Sequence, residues 1–543
     1  MSRAGAAAHV KREPAGERDI ASPARSADVG AAHEAGPALP AGPPWPVRSG
    51  TVPALADGFA PRPETAPSLA AALPAGAAVA LVPDRAVAPP GSETVGPGPA
   101  AIRAERDWLR SSGKTQLAAA FAESLWQSRG VDLLVWIQAT SRASVLSGYA
   151  AAMAAATGRD QVSSCESVAA QFLSWLGETR RSWLVVLDDL ADPADLNGLW
   201  PVGPAGRVLV TSADDAAVPG RIRVLPIGLF NSREALSYLM WRLSADPGQR
   251  IGAIELVRDL GCEPVALAQA SAVIASFAMS CHDYRGSFVS RREQLTDSSG
   301  VPPASAVTWT LSFEYADRLA PGGLAQWLLA LAALLDGHGI PETVLTAPAA
   351  GGYLTGDSAA QAGREPARAA VAALEGVGLL TVEPATAPRM IRISPVLQAA
   401  LRAVMPEGMP DQAARSAADA LLQAWPEPEL PGWPASGLRS CTAALRQIAG
   451  ELLWAGGCHP VLFRAGESLD QARLTGPAVD HWRDLVVTSA QLLGAGHPET
   501  ILAGQRLAEA YLAAGRAGDA VPWFQWLLDI QVDMLGPDHH DVI

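Results

Sequence analysis

No two cysteines in the chain share C-x-x-C spacing: Cys165, Cys262, Cys281, Cys441 and Cys458 lie far apart. That pattern supports neither a zinc site nor a disulfide framework, and it fits a reducing cytoplasm. Long hydrophobic runs are missing as well. The longest strongly apolar stretch, Trp327 to Leu335, is far too short to span a bilayer, and the first 25 residues contain no apolar signal core. A soluble, unexported protein without membrane contact is expected. Positive charge is in deficit, with 41 Lys and Arg against 55 Asp and Glu, a net charge of -14. Such a molecule repels a phosphate backbone, and no basic patch offsets it, so direct nucleic-acid binding is not expected. The spacings G-x-S-x-G and H-E-x-x-H do not occur either, which argues against serine hydrolase and zinc peptidase chemistry.

What is present suits several domains, since 543 residues allow three or four units of roughly 100 to 200 residues. Residues 1–95 are rich in Ala, Pro, Gly, Arg and Glu and almost free of aromatic residues, and read as a disordered leader. Within it, Leu73 to Val82 is open to a second reading as an eroded first strand, although its alanine content is weakly β-forming. From 96 to 218 apolar runs alternate with helical periods. Leu117, Phe121 and Leu125 mark one face of a helix, and Asp132 to Ala139, Trp183 to Leu187 and Arg207 to Ser212 are buried-strand patterns. This predicts an α/β domain built on a parallel sheet covered on both faces.

Beyond 218 the strand signal fades. Residues 219–298 predict a small helical domain. Residues 299–408 predict helices at 324–335 and 366–374 followed by paired strands at 379–382 and 390–393, a winged-helix-like domain. Residues 409–543 predict a helical region with an internal repeat, because Gly494-Ala495-Gly496-His497-Pro498-Glu499-Thr500-Ile501 returns 42 residues later as Gly536-Pro537-Asp538-His539-His540-Asp541-Val542-Ile543. Between the copies, Leu507, Ala508, Tyr511, Ala520 and Phe524 fit a tetratricopeptide helix pair. The chain stops where another repeat would begin, so a truncated array or an end capped by a partner is expected. His497, His539 and His540, in the repeat turns, read as packing or capping residues rather than metal ligands.

The residues with chemistry to offer are Ser112-Gly113-Lys114-Thr115-Gln116. They supply the second half of a phosphate-binding P-loop: backbone N–H groups at a helix start, a lysine for the β/γ-phosphates and a hydroxyl for Mg²⁺. The glycine expected at 108 is replaced by Trp108, and Ala101 to Leu109 would make a poor first strand. Asp188 and Asp189 end an apolar strand, where open α/β sheets bind ligands. Asp188 is the candidate Mg²⁺ carboxylate together with Thr115, and Asp189 the candidate for polarising an attacking water.

Taken with WLVVLDDLADPADLNGLWP, GRVLVTS, LGCEPVALAQA and the His-Pro repeat, SGKTQLA resembles the NB-ARC branch of the STAND NTPases, in the form with C-terminal tetratricopeptide repeats. The resemblance covers about 105 to the end. It implies an ATP/ADP-binding switch with Mg²⁺, in which LDD is the Walker B element, Thr211 lies at the nucleotide, Pro264 of Gly261-Cys262-Glu263-Pro264 packs against it, and the winged-helix unit holds the ADP-bound state closed. It also implies a protein partner at the repeats and nucleotide-dependent self-association. Two departures, Trp108 and the Ala213 that stands where a γ-phosphate-sensing arginine is usual, weigh against efficient hydrolysis. The alternatives are therefore a non-hydrolysing adaptor with a degenerate site, or a transcriptional regulator acting through a complex.

Overall fold

A computed structural model describes residues 45–56, 59, 62–84, 112–158, 164–214, 218, 222–296, 302–320, 323–355, 364–383, 388–405, 409–429 and 435–535. Its first layer is a six-stranded sheet. β1 (Val47–Ser49), β2 (Ala78–Pro83), β3 (Leu133–Gln138), β4 (Trp183–Leu190), β5 (Gly206–Ser212) and β6 (Arg223–Ile227) lie in the order β1-β3-β4-β5-β2-β6, and every neighbouring pair is parallel. The three strands read between 132 and 212 are thus present, in sequence and side by side.

The leader reading is corrected between 45 and 84. That stretch contributes two strands, and β2 is interior: Ala78–Leu81 pair with Val208–Thr211 on one side, and Val79–Pro83 pair with Arg223–Ile227 on the other. Val79 and Leu81 bury against one face of the sheet, Ala80 and Val82 against the other. For a strand covered on both faces, burial of a continuous small apolar run outweighs the low β-propensity of alanine. The alternative first strand at 101–109, Trp108 and the second repeat copy at 536–543 lie outside the described residues.

Helices cover both faces. α1 (Thr65–Ala72) and α2 (Lys114–Gln127) pack Leu69, Leu117, Ala118 and Ala122 against Val79, Leu81, Leu134, Val186 and Leu209. On the opposite face α3 (Arg142–Thr157) and α4 (Cys165–Glu178) bury Leu146, Tyr149, Phe172 and Leu176 against Val135, Ile137, Val185 and Val210. Alternate strand residues therefore serve opposite faces, as a pleated strand requires.

After the sheet come α5 (Ser232–Arg242), α6 (Ala253–Asp259), α7 (Pro264–Ser276) and α8 (Cys281–Leu295), then α9 (Ala304–Leu319) and α10 (Leu324–Ala332). β7 (Ile340–Pro341) follows, with α11 (Glu342–Leu345), α12 (Pro348–Thr355) and α13 (Arg364–Gly376) before β8 (Leu380–Glu383) and β9 (Met390–Ile393). These three strands make an antiparallel sheet in the order β7-β9-β8. The remainder is helical: α14 (Pro395–Val404), α15 (Met409–Ala424), α16 (Ala435–Ala449), α17 (Pro460–Gln471), α18 (Thr475–Leu492), α19 (Pro498–Ala513) and α20 (Ala517–Leu535). Among the described residues no helix is long and apolar enough to cross a membrane.

Two helix starts are completed by distant carboxylates. Pro303 gives α9 no side-chain cap, and Glu263 Oε2 instead accepts from the N–H of Ser305 at 3.0 Å. Leu474 likewise gives α18 none, and Glu166 of α4 accepts from Gly476 N–H at 2.6 Å and from the Thr475 hydroxyl at 3.0 Å. First-turn N–H groups need such acceptors, and a carboxylate there also meets the positive end of the helix dipole. The His-Pro turns are capped locally: His459 and His497 each accept, through Nδ1, the N–H two residues on.

Candidate nucleotide site

β2 lies between β5 and β6, while β3, the next described strand in sequence, lies three places back beyond β5 and β4, so the strand order reverses at β2. Such a switch point is where open α/β sheets leave a ligand crevice. Gly113 opens α2 with φ +84, a left-handed conformation that glycine adopts without steric cost. As a glycine it supplies no side-chain cap, and a helix start of this kind is favourable ground for an anion.

Asp188, 1% exposed, is the centre of the arrangement. Its Oδ1 accepts from the Thr115 hydroxyl at 2.8 Å and from the Thr211 hydroxyl at 2.6 Å, and the Thr211 oxygen in turn accepts the Asp189 N–H at 2.8 Å. Burial pushes the Asp188 carboxyl above its usual range, opposed by the hydrogen bonds from Thr211 and Thr115 and by the nearby charge of His338. Three elements thus converge on one carboxylate: the first turn of α2, the end of β4 and the end of β5.

Asp189 diverges from it. The β4–β5 register shifts between Leu187 and Leu190, and within that irregularity Asp189 takes φ +55, a conformation that aspartate tolerates better than most side chains. Its Oδ2 meets His338 Nε2 at 2.6 Å, while Nδ1 of the same ring meets Asp336 Oδ1 at 2.8 Å. Burial disfavours the charged ring, but hydrogen bonds and charge from Asp189 and Asp336 outweigh that and raise the His338 pKa to about 10. His338 went unnoticed in the sequence, where nothing marks Asp-Gly-His-Gly as a partner of Asp189.

Arg62 was also unnoticed. It is 6% exposed, donates to the carbonyls of Ser112 at 2.6 Å and Gly228 at 2.7 Å, and stacks over Phe230 with the guanidinium 4.8 Å from the ring centroid. In a trans peptide the carbonyl and the following N–H point apart, so holding the Ser112 carbonyl turns the Gly113 N–H away from Arg62. Phe230 N–H also donates to Cys262 O at 3.2 Å. The loop before Pro264 is therefore joined to Ser112 at the start of α2 through Phe230 and Arg62, with Pro264 itself the first residue of α7.

Gln116 turns elsewhere: its side chain accepts from Ala56 N–H at 2.5 Å and donates to Ala54 O at 3.2 Å, leaving only its backbone for a phosphate. Lys114 is buried at 6% exposure. Ser112 Oγ, and both amide atoms of Gln138 at the end of β3, are buried with no hydrogen-bond partner among the described residues. Buried polar atoms normally have partners. Orphans at the start of α2 and at the end of β3 therefore fit a polar ligand along this edge.

No family model and no curated protein matches this chain. Among solved structures it is similar to a Signal Transduction ATPase with Numerous Domains protein with a tetratricopeptide repeat sensor from Pyrococcus horikoshii, at 12% identity and a TM-score of 0.42, over 89% of this chain and 66% of that one. It is also similar to Cdc6p from Pyrobaculum aerophilum, at 14% identity and a TM-score of 0.27, over 61% of this chain and 88% of that one. The chain thus spans just under two thirds of the Pyrococcus protein. Neither likeness is close enough to carry a residue-level correspondence, and the site stands on its own geometry.

Among the described residues no cluster of three or more His, Cys, Asp or Glu could hold a metal ion. One carboxylate and one hydroxyl nevertheless suit Mg²⁺, which commonly takes its remaining ligands from phosphates and water.

Proposed function

We propose that the chain is an ATP/ADP-binding regulatory switch of the NB-ARC/STAND type. The observation that carries this reading is the contact of the Thr115 hydroxyl, in the first turn of a helix after a parallel strand, with the buried Asp188 carboxylate. With nucleotide and Mg²⁺ bound, that hydroxyl and carboxylate would share the cation. Ser112, Gly113, Lys114 and the backbone of Gln116 would receive the phosphates, and Thr211 would keep Asp188 oriented. The Pro264 loop would close over the nucleotide, with Arg62 and Phe230 coupling the two.

The units at 219–298 and 299–408 then act as the moving parts of the switch, the second as a winged-helix-like domain that packs on the sheet without reading DNA. The helices from 409 onward are the tetratricopeptide-like surface for a protein partner, and bound nucleotide favours self-association in the cytoplasm. Ala213 and the engagement of Asp189 by His338 favour a second reading, nucleotide binding with little or no turnover, as in an adaptor.

Thermal melting with Mg²⁺ and ATP or ADP tests the proposal. Ligand at a hundredfold excess over its dissociation constant should stabilise by about 2.7 kcal/mol, and Lys114→Ala should abolish the shift. An absence of any shift at millimolar nucleotide in the unaltered protein would refute it.

A further inference from the structure

We propose that His338 is an internal stopper for Asp189: it occupies the carboxylate that would orient the attacking water and so makes hydrolysis depend on the position of the module that carries it. The proposal rests on the nucleotide-site reading and deepens it by assigning a control element to that site.

The geometry argues for control more than for incidental contact. His338 lies in the turn 336–339 between α10 and β7, and that turn is built stiffly. Asp336 Oδ1 accepts both the His338 N–H, at 3.1 Å, and the ring Nδ1, at 2.8 Å. Gly337 O accepts from Ile393 N–H at 2.9 Å, and a Cβ at Gly337 would come within 2.5 Å of Ile393 O and 2.6 Å of Gln398 Oε1. Gln398 in turn holds the carbonyls of Ala332 and Leu335, at 2.8 and 2.9 Å. The imidazole is therefore tied through Asp336 and its turn to the three-stranded module. Separating the 2.6 Å contact means moving the module.

The partner side is equally specific. Asp188 faces inward onto Thr115 and Thr211, whereas the left-handed backbone at Asp189 turns the second carboxylate outward to the histidine. The two adjacent acids are thereby divided: Asp188 stays available for a cation while Asp189 is taken. In the reaction this blocks, water adds to the γ-phosphorus, the bond to the ADP oxygen breaks, and the proton of the water passes to Asp189. A carboxylate oxygen already receiving an imidazole N–H is a poorer acceptor for that water. Nucleotide binding needs none of these atoms, so a closed protein can hold nucleotide without consuming it.

The test uses the full chain and three measurements on His338→Ala, His338→Gln and the milder Asp336→Asn: fluorescent ADP titration, phosphate release from ATP, and the radius of gyration by small-angle scattering. Circular dichroism identifies any variant that fails to fold. The expected result is unchanged or modestly altered ADP affinity, phosphate release raised about tenfold, and a larger radius of gyration, with Asp189→Asn added to His338→Ala cancelling the gain in release. Folded His338 variants that bind ADP and match the unaltered protein in both release and scattering would overturn the stopper. If the unaltered protein binds no nucleotide, the site reading has failed on its own; the stopper then fails as a control of hydrolysis, and unchanged scattering removes it as a structural latch too.

Discussion

Thr211→Val isolates the hydroxyl around which the site is assembled. The residue is 1% exposed, and valine has nearly the same shape, so no cavity opens and the hydroxyl is the only group lost. Two interactions go with it, the donation to Asp188 at 2.6 Å and the acceptance from the Asp189 N–H at 2.8 Å. A hydrogen bond to a charged group contributes about 1.5 to 3 kcal/mol, and a buried N–H left without a partner costs about 1 to 3 kcal/mol. Some of this is recovered if water reaches Asp189, so a net loss of roughly 3 kcal/mol is expected. For a sheet domain of this size that is a fall in melting temperature of about 6 to 12 °C. Thr211→Ser keeps the hydroxyl and should return most of it. Melting followed by circular dichroism, with and without Mg²⁺-ADP, measures both effects. If the valine variant melts with the unaltered protein, or if serine is as damaging as valine, the hydroxyl does not hold the two acids and the account of the site is wrong.

Arg62→Met keeps the aliphatic stem on Phe230 while removing both carbonyl contacts; on the proposed function, fluorescent ADP titration should show affinity weakened by at least about tenfold, since charged-donor bonds contribute about 1.5 to 3 kcal/mol each, and Arg62→Lys should recover little because one ammonium cannot span two carbonyls. His481 gives a pH test in the C-terminal helices. Its Nε2 lies 2.8 Å from Leu462 O, its ring meets Trp482 edge-on, and burial pulls its pKa from 6.5 down to about 4. The unfolded chain therefore binds the proton more readily, so stability is complete above pH 6.5 and is lost as pH falls toward about 4. The loss is at most about 3 kcal/mol, less because the ring is partly exposed, and His481→Leu should flatten the melting profile across that window.

The sheet was legible in the sequence wherever strands were long, branched and apolar. DLLVWIQA and WLVVLDDL announce buried parallel strands because both faces demand the same residues. β2 was obscured for the opposite reason: alanine carries little pattern, and the strand is separated from α2 by the residues between Pro83 and Lys114. Gly113, Lys114, Thr115 and Asp188 could be named from local motif chemistry. The closeness of Thr115, Asp188 and Thr211 follows from that naming only once strand order is known. Arg62 and His338 were not legible at all, since each acts on residues at least 50 positions away, and an isolated Arg-Pro or Gly-His-Gly carries no periodicity that would reveal its partner. Gln116 was given a phosphate role by its place in the motif, and only the structure reveals that its side chain ties down the segment at 54–56.

The borrowed caps on α9 and α18 bear on how this architecture tolerates sequence drift. Glu263 and Glu166 each grip one main-chain N–H, of Ser305 and of Gly476, with the Thr475 hydroxyl as a further donor to Glu166, and every residue except proline presents the same N–H. The helices on the receiving side can therefore change most of their side chains and still dock, while the two glutamates cannot be exchanged for shorter or apolar residues without leaving a helix end bare. Thr475, whose hydroxyl Glu166 also holds, and Gly476, where a Cβ would come within 2.7 Å of Glu166 Oε1, are the exceptions on the receiving side. Among relatives of this chain, the record of how the modules hold together should lie in Glu166, Gly476 and Glu263 more than in the apolar surfaces around them.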